Sequence, residues 1–139
     1  MQERVTVVLS LSEKKQVVEP RLHDGSVLGV ACHDGQATVD VADALGNRHR
    51  LVLSGVERLR AHDFREGNII LDVIVRVCDS DDAAVLKRLF DLGDTRADVA
   101  FLAQLLTRAE ADQMLLVEVN PSYGCSLTAL CRRIELTTP

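Results

Sequence analysis

The chain has 139 residues, one domain's worth of polypeptide, and at that length about two-thirds of the unfolded surface is buried without help from disulfides or metal. Hydrophobic residues at 47% and charged residues at 27% exclude wholesale disorder, and no apolar run approaches the ~20 residues of a membrane-spanning helix. With 21 acidic against 16 basic residues the net charge is -5, the wrong sign for a general nucleic-acid binder, whose affinity comes mostly from neutralising phosphates.

Residues 1–78 read mainly as strands. Val5 to Leu11 is a β-branched opening strand, and Lys14 to Arg21 is polar and reads as a connection. Val27 to Cys32 and Ala37 to Val41 flank His33-Asp34-Gly35, whose Asp-Gly pair is a strong hairpin signal. A turn at Leu45-Gly46-Asn47 leads into a strand from Arg48 to Leu53, closed by Ser54-Gly55, and Val56 to Arg60 forms a further short strand. Glu66-Gly67-Asn68 then turns the chain into Ile69 to Cys78, a long apolar run broken only by Asp72 and Arg76, which reads as a central strand.

The apolar period next changes from two to 3.6. Asp79-Ser80-Asp81-Asp82 is an N-cap cluster, Val85, Leu86, Leu89 and Phe90 form one helical face, and Gly93 supplies the stop. Thr95 with Asp98 starts a second helix, whose buried stripe is Leu102, Leu105, Leu106 and Ala109. Met114 to Val119 returns to strand and ends at Asn120-Pro121. Ser126 to Leu136 fits a helix face or a strand, and strand is favoured because Pro121 to Gly124 looks like a hairpin connection. The fold class is α+β: one domain over 1–139, an antiparallel meander of about six to eight strands with two helices, roughly 81–110, inserted before the C-terminal strands.

Side chains that might be read as carrying chemistry mostly have plainer uses. His23, His33 and His62 are each followed by Asp; the carboxylate is a partner for an imidazole, but His-Asp is also turn chemistry, and turns weigh more here. His49, between two arginines, reads as a surface or core residue rather than a ligand. Cys32, Cys78, Cys125 and Cys131 lack C-x2-C spacing and read as reduced thiols of a cytoplasmic protein, consistent with an N-terminus that has no secretory h-region. No metal or other cofactor is expected. A zinc site would need distant convergence, for example of Cys32, His33 and Cys125. A calcium loop from Asp79 would need Gly and Glu where Ala84 and Phe90 stand. Tyr123-Gly124-Cys125-Ser126 sets two nucleophile types after a glycine but lacks the second glycine of a nucleophile elbow.

Charge concentrates between residues 48 and 66. If the strands on either side of Gly55 pair, Arg48 and Arg50 share a face with Arg58 and Arg60, a surface suited to an acidic partner. The solvated face of an antiparallel sheet gives the same pattern and weighs more.

Leu22-His23-Asp24-Gly25-Ser26-Val27-Leu28, Leu53-Ser54-Gly55-Val56-Glu57-Arg58-Leu59 and Glu66-Gly67-Asn68-Ile69-Ile70-Leu71-Asp72 together resemble small bacterial β-rich domains, some of them immunity proteins of toxin systems. The resemblance spans residues 22–72 and implies a β-rich domain that inhibits by binding a protein. The functional expectation is a non-catalytic module that binds another protein or its own copy, without general nucleic-acid or membrane binding. The alternative is a small hydrolase or a metal- or ligand-binding domain using His23, His33 or Cys125.

Overall fold

The computed structural model describes residues 6, 7 and 9–139. Asp34 and Gly35 both take positive φ, 51° and 72°, as a two-residue type I′ turn requires. They join β4 (Ser26–His33) to β5 (Gln36–Ala42), with His33 opposite Gln36. Gly46, at φ 86°, turns β5 into β6 (Arg48–Ser54). β7 (Arg58–His62) follows β6 after Gly55, displaced from the expected Val56–Arg60, and β8 (Asn68–Val77) is the expected long central strand.

Asp79 accepts the Asp81 N–H, and a reciprocal cap with Asp82 opens a 3-10 turn, Ser80–Asp82, leading into α1 (Ala83–Leu89). Thr95 caps α2 (Arg96–Ala111) by accepting the Asp98 N–H. After it come β9 (Leu115–Tyr123), β10 (Ser126–Cys131) and β11 (Arg133–Thr137), so the ambiguous C-terminal stretch is strand, broken only at Arg132. At the start of the chain lie three short strands, β1 (Thr6–Val7), β2 (Ser10–Leu11) and β3 (Val17–Glu19). Val5 and Val8 of the expected opening strand lie outside the described residues.

Nine of these strands form one antiparallel sheet, and β2 with β3 forms a separate hairpin. β10 and β11 are two halves of one bent strand. β10 pairs with β9 and β7, and β11 pairs with β6 and β1. Because β6 also pairs with β5, β5 with β4, β4 with β8 and β8 with β9, the circuit closes and the sheet curls into a barrel. Alternate residues fill it: Val39 and Val41 of β5, Leu51 and Leu53 of β6, Val117 and Val119 of β9. The outer face of β9 and β10 is covered as well. Leu116 and Leu130 pack under Leu86, Leu89, Leu105 and Ala109 of the two helices.

Four local expectations are corrected. Lys14 to Arg21 is no plain connection: Gln16 bridges to Ile74, the Val75 N–H donates to the Lys15 carbonyl, and β3 follows. Lys14, Lys15, Glu19 and Arg21 are exposed, while the backbone docks on β8 and the Gln16 side chain donates to Asp72. Gly93 does not end α1. Asp91, at φ 53°, takes the left-handed position, and the Gly93 N–H donates to the Asp98 carboxylate. Nor do Asn120-Pro121 end β9, since Pro121 sits opposite Ile70 at a register shift, where a missing N–H is tolerated. Finally, β6 and β7 do not pair. They lie end to end along the bent β10–β11 strand, with Arg50 opposite Thr137 and Arg60 opposite Thr128.

Candidate functional site

The end-to-end arrangement disperses the arginines. Arg50 makes a two-pronged ion pair with Asp40, directly opposite on β5, at 2.6 and 3.1 Å. Its guanidinium pKa is raised, first by that hydrogen bond and then by the carboxylate charge. Arg48 is exposed at the start of β6. Arg58 and Arg60 instead hold Asp91 beyond α1, at 3.9 and 3.3 Å; Arg60 also donates to the Arg88 carbonyl, and Arg58 lies over the Phe90 ring. Two of the four thus brace a helix end, and a third braces a strand pair.

The His-Asp pairs lie at bends. Asp24, Asp34 and Asp63 all have φ near +60°, a conformation Asp tolerates better than most residues. His33 projects from the hairpin tip, about nine-tenths exposed, 3.1 Å from Asp34. His23 is fixed through Nδ1 to the Leu71 carbonyl at 2.7 Å. His49 is held by Asp43 at 3.0 Å.

Cys125 is buried, and its burial pushes the thiol pKa up. It belongs to a structural knot. Asn68, 1% exposed, accepts the N–H groups of Arg65 (2.7 Å) and Cys125 (3.0 Å) and donates to the carbonyls of Val27 and Arg65. Gly124 is left-handed at φ 84°, and a Cβ there would lie 2.4 Å from the Asn68 amide oxygen. Tyr123 to Ser126 is therefore a turn shaped to admit Asn68. Cys78 and Cys131 are buried with pKa values pushed up to about 11, chiefly by desolvation, which makes both poor nucleophiles. Among the described residues no three His, Cys, Asp or Glu side chains gather as metal ligands, and no helix is long and apolar enough to cross a membrane.

An accessible feature that residue-by-residue reading missed is the edge of β4. β4 meets β8 only through Ser26 and Val27, with Val27 opposite Asn68, the first residue of β8. From Leu28 to His33 it runs past the start of β8, paired on one side to β5 alone. His33–Gln36 closes a two-residue turn, so it is a hydrogen-bonded pair. The alternation of an antiparallel ladder then aims the N–H and C=O groups of Val30 and Cys32 away from β5. Among the described residues no other backbone bond reaches them. Leu28, Ala31, Cys32 and His33 are exposed, and the segment carries no Asp, Glu, Lys or Arg. Its sequence signal is an apolar strand wider than its pairing, visible only once the register of β8 is fixed.

Compared with protein-family models, with curated proteins and with solved structures, the chain matches none.

Proposed function

We propose that this chain is a non-catalytic protein-binding module that takes an extended segment of a partner protein along the free edge of β4. The observation that carries the reading is the run from Leu28 to His33, an uncharged strand edge with the backbone groups of Val30 and Cys32 unpaired among the described residues. Such an edge templates an added strand, with main-chain hydrogen bonds giving affinity and alternate side chains giving selectivity. Natural proteins usually blunt exposed edges with lysine, proline or an inward charge, and none stands here. The net charge of -5 favours a basic partner, because opposite charge speeds association. An immunity-type inhibitor of a basic toxin in the cytoplasm fits that description. His23, His33 and Cys125 serve a bend, a hairpin tip and a buried turn, which supports binding over hydrolysis.

The test is a selection of random decapeptides on the intact chain and on Val30→Pro. Proline removes an N–H that points outward, so the β5 ladder is kept. Basic, extended peptides retained by the natural chain and lost from Val30→Pro are expected. Peptides bound equally by both would overturn the reading.

A further inference from the structure

The outer face of β7, β9 and β10 holds a second feature, independent of the β4 edge. Cross-strand register sets His62 directly opposite Ser126 and Arg60 opposite Thr128, so these four side chains form two adjacent rungs on one face. Glu118, opposite Thr128 on the other side, adds a third column, with Asn120 two residues along. Val85, Arg88 and Leu89 of α1 close the other wall of a cleft of about 280 Å³.

The negative groups bordering this cleft are already engaged. Glu118 is paired with Arg76 at 2.9 Å, Asp91 with Arg58 and Arg60, and Asp72 accepts the Asn120 amide at 2.7 Å. The donors are not. Among the described residues the side chains of Arg88, His62, Ser126 and Thr128 make no hydrogen bond or ion pair, and Arg60 spends only Nη1 on Arg88 and Asp91. An uncommitted guanidinium, part of a second, two hydroxyls and an imidazole thus line one small space whose one lining carboxylate, Glu118, is already held by Arg76, a cation it shares with Asp82.

We propose that this cleft binds a small oxyanion, the phosphate or carboxylate group of a low-molecular-weight ligand. The Arg88 guanidinium supplies the charge, the remaining Arg60 N–H groups a second fork, and Ser126 and Thr128 hydroxyl donors from the floor. Val85 and Leu89 give the ligand's apolar stem a wall. The cleft is at the lower limit of small-molecule sites, which fits a compact ligand rather than a dinucleotide.

The intact chain is titrated with sodium phosphate, sodium acetate and sodium chloride at equal ionic strength, followed by amide NMR shifts. Saturable shifts confined to residues 60–62, 88 and 126–128 are expected. Phosphate above acetate assigns a tetrahedral anion, and acetate above phosphate a carboxylate. Arg88→Ala should weaken binding by about tenfold or more, the loss of one charge-assisted contact. Thr128→Val, which keeps side-chain volume, should weaken it severalfold, and Arg48→Ala on another strand should leave it unchanged. A response to phosphate and acetate no larger than to chloride would overturn the proposal, as would unaltered binding by Arg88→Ala.

Discussion

The wall formed by β9 and β10 and the free run of β4 have similar apolar sequences and opposite fates. In the wall, Leu116, Val117, Val119, Ala129 and Leu130 are all fully buried, because the barrel interior lies on one face and the helices on the other. In β4 no residue after Val27 is buried, although Leu28-Gly29-Val30-Ala31-Cys32 is as apolar as a core strand. What separates them is the number of neighbours. The wall has a paired strand on each edge and a layer on each face, whereas β4 has outrun β8. An apolar strand is therefore a statement about what the chain could bury, and pairing decides whether it does.

The largest test of this contrast compares Leu116→Ala with Leu28→Ala by urea denaturation. Leu116→Ala empties a site enclosed on all sides and should cost about 3 kcal/mol, within the usual range for buried leucine. Leu28→Ala should change stability by less than about 0.5 kcal/mol. Equal costs would mean that the β4 run is covered in solution. Asn68 sits at the seam where β4 parts from β8. Asn68→Ala strands the N–H groups of Arg65 and Cys125 and should cost about 3 kcal/mol, with faster amide exchange at Cys125 as the local readout.

A smaller effect is expected at the other end of β5. Asp43 accepts from the Leu45 and Asn47 N–H groups and from His49, and the His49 bond is the largest cause of its lowered pKa, with burial opposing and the backbone bonds assisting. A carboxylate whose folded pKa is depressed stabilises above its unfolded pKa, and the gain is lost as pH falls through the folded value. Asp43→Asn should therefore cost about 1 kcal/mol near neutral pH, and its deficit should fade below about pH 4, measured as the shift in urea midpoint. Val30→Pro, which removes an edge donor and part of a half-buried side chain's packing on the barrel core, should change stability by no more than about 1 kcal/mol by thermal melt.

Much of the fold is legible in the amino-acid sequence alone. Asp34-Gly35, Gly46, the Asp79 and Thr95 caps and the switch of period at Cys78 each state a local geometry that the backbone adopts, because they act over two to four residues. Where a choice rests on something distant, local signals mislead. Pro121 reads as a stop, yet a register shift on β8 accommodates it; Gly93 reads as a helix end, yet Asp91 turns first. The expected arginine face fails for the same reason. Period two fixes which way Arg48, Arg50, Arg58 and Arg60 alternate, but not whether their strands lie side by side or end to end.

The succession of strand-rich and helical stretches, the turns at Asp34-Gly35 and Gly46, the helix caps and the acidic balance belong to the amino-acid sequence, since each follows from steric preference, capping or charge count along a few residues. Closure of the barrel through the bent β10–β11 strand, the overrun of β4 and the meeting of Arg88 with Ser126 and Thr128 belong to the tertiary structure. Each depends on register between segments far apart in the chain, which no local propensity encodes.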